Sequence, residues 1–527
     1  MTSSGVASLA SNTLVVNYDP SCTVSFNTTG ATFNGTITTT GGTTTWNMNG
    51  AITTGTNVMA QNWGVAGSRT NSVRVDTGPN FTQITNFQAQ GISSISFSLG
   101  CNGMTAINIV GNSISSLDLS MMPALSKLNI GDPWTPPANA NTMTSLNLSN
   151  NPLLTWVDVS HVPLTSLDVS NKPNLAFLRS HWQGGVANPM TAFNFANTPS
   201  LNTIYFTNST MNNFNFTANP LMTTIWLDGH ASLSSIDLSA NPLLSVFSCG
   251  RCSLTALDVS NNLALTQIHL SGNLISTLNV TMLPNLNILY LGHNTDSVQH
   301  NLMTSLNLTG NPALTFLDIS WIPITSIDVS NKASLNFFRA YGSSALATLN
   351  LTNTPALDYV HIHSAAITTV NLTTSPLLTQ LAITNTPITA INLTNNTALT
   401  YLSLEGDSLT TLSLTTNTAL TYICITNTSV TSLNLSTNTA LLRIDANNLP
   451  LSSLTLGANT LLAIMNFGAI GGLANQSTIL DVVYAQRAVL PLNASLYMAG
   501  NGVPAAPDLA KFTTLAAGPY FWTVTHD

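Results

Sequence analysis

Charged residues are scarce in this sequence. Asp, Glu, Lys and Arg make up 6% of its 527 residues, against about 25% in an ordinary globular chain. The formal net charge is −8 and no basic stripe runs along the chain, so we expect no binding to nucleic acid. Hydrophobic residues still reach 44%, which argues against disorder because disordered chains lack hydrophobicity. Thr, Ser and Asn must therefore supply the polar surface, and we expect binding to depend little on salt.

Long apolar runs and a second closely spaced cysteine pair are lacking as well. A membrane-spanning helix needs about 18 or more apolar residues in a row, and the sequence has no such run, so we expect no membrane insertion. The N-terminal MTSSGVASLASNTLVV has neither a basic region nor an apolar run of signal-peptide length. Unless the chain is trimmed, this predicts assembly inside the cell that translates it. The five cysteines include one C-x-x-C pair, Cys249 and Cys252, and a zinc site would need a second pair.

Carboxylates suited to catalysis are rare too. The sequence contains one glutamate, Glu405, and scattered aspartates. A glycosidase needs two facing carboxylates about 5–10 Å apart, whereas Asp158 and Asp318 each stand alone on their predicted strands. His361 and His363 alternate on one predicted strand, but two histidines without a third ligand are more often polar surface. We therefore expect no enzymatic activity, no metal and no cofactor.

A leucine repeat accounts for most of the chain. The stretch Met143–Arg179 reads MTSLNLSNNPLLTWVDVSHVPLTSLDVSNKPNLAFLR, and its apolar pattern steps every 10 or 11 residues. Between Ile95 and Phe467 the same pattern marks 34 strand units, so that two units make one repeat of about 21 residues. A fixed period of this size with short strands predicts a mostly β solenoid of 17 turns. At about 4.8 Å between neighbouring strands, its length would be roughly 80 Å.

Two strands per turn predict two parallel sheets on opposite sides of the coil. We name side A the sheet that includes Leu146, and side B the sheet that includes Val157. The outward residue after each inward one is nearly always Asn or Asp on side A. Most of these are neutral, whereas calcium needs several carboxylates, so we expect hydrogen-bonded stacking of asparagines there. On side B the outward residues are diverse and rich in rings, His and Arg.

Side B is the predicted binding face. The three long insertions all follow side B strands, and insertions confined to one face of a solenoid often mark its binding face. Rings and guanidinium groups dominate recognition hot spots, and they also suit stacking on sugar rings. An alternative stays open, in which the rings pack against the protein's own inserted loops or against a neighbouring copy. The candidate binding residues are Arg179, His181, Trp182, Tyr205, Trp226, His269, Tyr290, Trp321, Arg339, Tyr341 and His361.

The two ends depart from the repeat. Residues 1–90 are rich in Thr, Gly and Asn, which predicts a β-rich N-terminal cap or a domain that attaches the solenoid to a larger assembly. The solenoid itself is assigned to residues 91–470. Residues 471–527 predict a small α/β C-terminal cap. Its expected elements are a helix capped by Ser477 or Thr478, a strand from Ser495 to Met498, a helix beginning at Pro507 and a last strand at 521–524.

A longer duplication lies within the repeat. The segment that begins at Met143 recurs 160 residues later from Met303, as MTSLNLTGNPALTFLDISWIPITSIDVSNK. Arg179 thereby corresponds to Arg339, and Trp182 corresponds to Gly342. A block was therefore copied, and its corners then diverged.

The repeat resembles the short, nested leucine-rich repeats of surface proteins of Bacteroidetes-type bacteria and of proteins of their phages. The resemblance covers about residues 95–467, and the ending from Leu496 (LYMAGN) to Thr525 (WTVT) is similar to the terminal segment of many such proteins. It implies a leucine-rich-repeat solenoid used for adhesion or recognition, without catalysis, and it implies no individual site residue. The bacterial members usually carry an export signal and a sorting tail. Neither is visible here, which favours a phage virion protein.

These observations predict a non-enzymatic structural or recognition protein, a phage fibre or capsid-surface component located in the virion. Its expected partners are other virion proteins, copies of itself, or a glycan or protein on the host surface. One alternative is a secreted adhesin on the bacterial cell surface, which would require an export signal upstream in the full gene. The other is a polysaccharide-degrading tail spike.

Overall fold

The computed structural model describes two compact units, Met1–Leu254 with Asn261–Ala264, and Thr255–Ser260 with Leu265–Asp527. Residues 40–42, the tips of the three insertions, Cys22 and Cys101 lie outside the described residues. Eight N-terminal strands are described by their backbone. Beyond them the described ranges are 95–97, 103–110, 112–131, 141–182, 187–293, 299–492, 494–517 and 522–526.

The first unit begins with antiparallel strands. Five of them form one sheet in the order β4-β3-β6-β1-β8, and β2 lies between β5 and β7. Strand β7 then pairs in parallel with the first solenoid strand, Asn86 opposite Ala106. The N-terminal strands are β1 (Thr23–Thr28), β2 (Thr32–Thr39), β3 (Thr44–Met48), β4 (Ala51–Gly55), β5 (Val58–Asn62), β6 (Arg69–Val75), β7 (Ile84–Gln90) and β8 (Ile92–Phe97).

The rest of the first unit is solenoid. On side B its strands form one continuous parallel sheet in the order β7-β9-β10-β11-β13-β15-β16-β17. Among the described residues of this unit, β12 and β14 pair as strands on side A. The solenoid strands of this unit are β9 (Ala106–Asn108), β10 (Lys127–Asn129), β11 (Trp156–Asp158), β12 (Ser166–Asp168), β13 (Phe177–Ser180), β14 (Ala192–Asn194), β15 (Thr203–Phe206), β16 (Thr224–Trp226) and β17 (Val246–Ser248).

The second unit repeats this arrangement. Its strands are β18 (Gln267–His269), β19 (Ile288–Tyr290), β20 (Phe316–Asp318), β21 (Ser326–Asp328), β22 (Phe337–Tyr341), β23 (Thr348–Asn350), β24 (Tyr359–His363), β25 (Gln380–Thr384), β26 (Tyr401–Ser403), β27 (Tyr422–Cys424), β28 (Ser432–Asn434), β29 (Arg443–Asp445), β30 (Ser453–Thr455), β31 (Ile464–Asn466), β32 (Ser495–Tyr497) and β33 (Thr523–Thr525). Side A consists of the pairs β21–β23 and β28–β30. All the others belong to the parallel side B sheet.

The predicted fold class is confirmed: the protein is a mostly β solenoid with few helices, of about 16 turns. The sequence count was 17, and it began at Ile95. That residue belongs to β8, which pairs antiparallel with β1 instead of opening the solenoid. Inward leucines such as Leu178, Leu289 and Leu317 are completely buried. Burial of each such side chain contributes about 1.5–3 kcal/mol to the stability of the fold, so the total stability is a sum over many similar turns.

Asparagines link neighbouring turns most regularly in a column other than the one predicted. Besides contacts between adjacent turns such as Asp168 with Asn194, the outward asparagines and aspartates of side A bond within their own strand end, as where Asn147 Oδ1 accepts from the backbone N–H of Ser149 at 3.0 Å. This Asx turn satisfies the side chain within its own strand end. The stack lies in the buried corner that follows, where Asn241 Nδ2 donates to the backbone oxygens of Phe216 and Asn219 in the preceding turn, at 3.1 and 2.8 Å. The buried corner asparagines are Asn151, Asn219, Asn241 and Asn262 in the first unit and Asn311, Asn396, Asn417, Asn438 and Asn459 in the second.

The C-terminal helices are α1 (Leu473–Ala485) and α2 (Ala506–Ala516). The expectation that Ser477 or Thr478 caps the first helix is wrong, because α1 begins one turn earlier. Gly471 and Gly472 adopt φ values of +94° and +91° there, a conformation that glycine enters without steric cost. Ser477 lies inside the helix and donates to Asp508 Oδ1 at 3.2 Å.

Candidate binding face

Side B places chemically diverse side chains in straight columns. Its strands are parallel and in register, so that Trp156 lies opposite Phe177 and Asp158 lies opposite Arg179. Equivalent residues of adjacent turns therefore stand about 4.8 Å apart. This spacing, together with the register, brings side chains of neighbouring turns into direct contact.

The first cluster, which we call the Arg179 patch, centres on an ion pair. Arg179 Nε donates to Asp158 Oδ2 at 2.7 Å, and the Asp158 side chain is fully buried beneath the guanidinium. Burial raises the pKa of Asp158, and hydrogen bonds from Arg179 and Ser160 act in the opposite direction. Beside the pair, the rings of Trp156 and Phe177 stack with centroids 5.1 Å apart and planes 8° apart.

The second cluster, the Arg339 patch, has the same plan. Arg339 Nη2 lies 2.6 Å from Asp318 Oδ2, and the Asp318 side chain is again completely buried. Phe337 stacks on Phe316 at 4.3 Å and on Tyr359 at 4.5 Å, with planes 8° and 2° apart. The duplicated block therefore carries the ion pair and the ring stack together.

Rings and histidines continue into the corners after these strands. Tyr341 stacks on His363 at 4.3 Å and lies 5.7 Å from Trp321, while His161 lies 5.5 Å from Trp182. Trp182 is 8% exposed, so it offers little surface to a partner.

The histidines of both patches are poor bases. Burial, aided by His161 and Arg179, lowers the pKa of His181 to about 4. Burial, aided by Arg339 and His363, lowers the pKa of His361 to about 4 as well. Both rings are therefore neutral near pH 7, and each can donate and accept one hydrogen bond.

The remaining candidates lie in the same columns. Tyr205 stacks on Trp226 at 5.9 Å, and Trp226 Nε1 donates to Asp228 Oδ2 at 2.8 Å. In the second unit His269 and Tyr290 lie 6.0 Å apart. Ten of the eleven predicted binding residues are partly exposed, Trp182 being the exception. The alternative in which inserted loops cover the rings concerns 183–186 and 294–298, which lie outside the described residues.

Ring stacking limits what side B can bind. The two faces of Phe337 are occupied by Phe316 and Tyr359, so a sugar has no free ring face to stack on at this position. The stacked rings present their edges and polar tips outward instead. This geometry suits hydrogen bonding and edge contacts, as in recognition of a protein surface.

Cavities occur on side A, the face opposite the predicted binding face. The four described cavities there have volumes of about 410, 300, 310 and 240 Å³. The cavity of about 300 Å³ has an aromatic lining that includes Phe193 and Phe195. The signal for it was present in the sequence, because FNF at 193–195 and again at 214–216 replaces the usual Leu-x-Leu.

Within the described ranges, no three His, Cys, Asp or Glu side chains come together as a set that could hold a metal ion. Cys249 and Cys252 are joined by a disulfide, with Cα atoms 5.8 Å apart. No helix in the described part of the chain is both long and apolar enough to cross a membrane.

Solved structures with similar architecture are leucine-rich-repeat proteins, among them internalins. The functional domain of InlJ from Listeria monocytogenes is 19% identical over 73% of this chain and 73% of that one, with a TM-score of 0.49. A leucine-rich-repeat protein from Leptospira interrogans is 17% identical over 67% of this chain and 86% of that one, with a TM-score of 0.48. The internalin InlF from Listeria monocytogenes is 16% identical over 62% and 87%, with a TM-score of 0.43. No protein-family model and no curated protein matches the chain.

Proposed function

We propose that the protein is a non-catalytic recognition scaffold that binds a protein partner on side B. The observation that carries this proposal is the recurrence of one cluster, a buried Asp–Arg pair beside stacked rings, in both units. A merely structural sheet face does not require a buried ion pair, since replacing such a pair by apolar residues is often neutral or stabilising.

The chemistry of the patches supports a polar but uncharged contact surface. In each patch the positive guanidinium is matched by an aspartate, and the neighbouring histidine is neutral near pH 7. Tyrosine hydroxyls, imidazoles and guanidinium edges offer hydrogen bonds, as in the contact of Arg339 Nη2 with the Tyr290 hydroxyl at 3.5 Å. Tyr, Trp and Arg are the residue types enriched in protein interfaces.

The proposed setting is a phage virion, in which the protein is a fibre or capsid-surface component. The resemblance of the repeat and of its ending supports this setting, and the partner would be another virion protein, a second copy, or a protein of the host surface. Immunoelectron microscopy with antibody against the purified protein should label virions. Label found on bacterial envelopes and never on virions would favour the secreted adhesin, and release of oligosaccharide from surface polysaccharide would favour the tail spike.

The role of side B is tested by reassembly. Particles made without the protein should take up the purified wild-type chain but not a Trp226→Ala/Tyr290→Ala variant. Both rings are partly exposed at the last, outward-facing residue of a side B strand. Tyr401→Ala is the matched control: it removes a side B ring that is 39% exposed and lies outside the proposed site. Equal uptake of all three chains would contradict the assignment of side B.

A further inference from the structure

The cavity of about 300 Å³ on side A lies beside an unusual set of core residues. Most turns place Leu, Ile or Val at the two inward positions of side A, as at Leu167 and Val169. Two consecutive turns place Phe at both, and these four rings form one cluster. Phe193 and Phe195 have centroids 5.0 Å apart, and Phe195 lies 5.4 Å from Phe216.

The cluster coincides with an interruption of side A. Strand β14 pairs with β12 on one side, whereas the next turn, at Asn215, bridges onward to Asp237. Rings larger than the usual leucines force neighbouring backbone apart, since an overfilled core shifts its surroundings. The cavity opens between these two turns, where Phe193, Phe195, Asn213 and Asn215 line it.

The lining combines apolar rings with amides and carries no charge. The residues that line it are Phe, Asn, Ala and Thr. Asn215 Oδ1 accepts from the backbone N–H of Thr217 at 3.0 Å, which leaves its Nδ2 as a donor toward a ligand. Asn213 is exposed at the rim, where its amide can both donate and accept. An ion would lose its hydration here without gaining a partner of opposite charge.

We propose that this cavity binds one neutral sugar unit. Sugar hydroxyls both donate and accept hydrogen bonds, which the rim amides complement. The C–H surface of a pyranose can contact the exposed edge of Phe193, whose face stacks on Phe206 with centroids 5.0 Å apart. Ligand pockets in proteins span about 300–1,000 Å³, so the volume of about 300 Å³ suits a single ring and not a long chain. The site lies on side A and is independent of the protein contact proposed for side B.

Saturation-transfer difference NMR with the full-length protein tests the proposal. The probes are glucose, galactose, mannose and N-acetylglucosamine, with glucuronate and glucosamine as charged counterparts. At least one neutral sugar should receive saturation from the wild-type chain with millimolar affinity and little dependence on salt, and the charged sugars should not. Absence of transfer to every neutral sugar, or equal transfer to the charged ones, would overturn the assignment.

Two variants locate the site. Phe193→Leu restores the residue found at Leu146 and Leu167, so the chain should fold, and sugar binding should weaken at least tenfold. Asn213→Ala changes an exposed residue and should weaken binding to a smaller extent. Phe338→Leu is the matched control, because it makes the same substitution at a fully buried inward position of side B. Wild-type binding by Phe193→Leu, or equal loss in Phe338→Leu, would show that the sugar binds elsewhere or not at all.

Discussion

Removal of the guanidinium from the Arg339 patch should destabilise the fold in a pH-dependent way. Arg339→Met keeps the aliphatic stem but leaves the fully buried Asp318 carboxylate without its counter-ion. Breaking a buried pair from one side costs about 3–5 kcal/mol. Because the Arg339 side chain is 20% exposed, water can partly replace it. We therefore expect the free energy of unfolding to fall by about 3 kcal/mol at pH 8.

The pH dependence follows from the carboxyl group. Burial already raises the pKa of Asp318, and Arg339 is the main group that lowers it. In the variant, the folded-state pKa of Asp318 therefore rises further above its unfolded value. A raised carboxyl pKa gives stability that is present below the unfolded pKa and is lost as pH rises through the folded one. The variant should consequently approach the wild type in acid and fall behind it toward pH 8.

Urea unfolding at several pH values measures this difference. Asp318→Asn/Arg339→Met should recover most of the loss, since no buried charge remains. Arg443→Met is the matched control, because the arginine side chain is 45% exposed and Asp445 keeps the hydrogen bond from the Tyr422 hydroxyl at 2.7 Å. We expect a loss of about 0–1 kcal/mol there. A loss in Arg339→Met that is the same at every pH, or no larger than in Arg443→Met, would refute the argument.

Two further predictions concern buried polar groups. Burial raises the pKa of Asp407 to about 7, against the hydrogen bonds it accepts from Thr386, so its contribution is complete below about pH 4 and is lost as pH rises through about 7. Thermal melts of Asp407→Asn should show a flatter pH profile than the wild type, and an unchanged profile would contradict this. Asn417→Ala removes two hydrogen bonds to the preceding turn and should cost about 1–3 kcal/mol. Asn395→Ala, at an exposed corner position, should stay within about 0.5 kcal/mol, and equal losses for both would contradict a special role of the buried stack.

The period of the repeat was enough to predict the inward residues and the division into two sides. Leu178 and Leu317 follow from the 10- or 11-residue step, and both are fully buried. The same step places Asp158 one turn from Arg179, but pattern reasoning treated that aspartate as standing alone. Contacts between side chains of adjacent turns depend on the register of the parallel strands. That register is known only once each strand has been aligned with its neighbour.

Hydrogen-bond partners were harder to predict than burial. An asparagine such as Asn147 can bond within its own turn or to the next one, and its sequence position does not distinguish the two outcomes. Ring orientation posed the same difficulty, because an aromatic side chain at Phe337 could lie flat on the sheet or stand stacked. The two FNF segments indicated an unusual core at Phe193. Whether a cavity opens there depends on how far the larger rings separate the two turns.

The corner asparagines also affect how whole turns can be inserted into such a chain during evolution. These amides donate to backbone carbonyls of the turn just before them, as Asn438 does with Leu414 and Asn417. Such a link therefore depends only on two adjacent turns, whichever turns lie further away. The copied block advances the corner from Asn151 to Asn311, a shift of 160 residues that covers seven whole turns. A complete set of turns can be spliced in at such a corner without altering any existing link, whereas half a turn would exchange sides A and B.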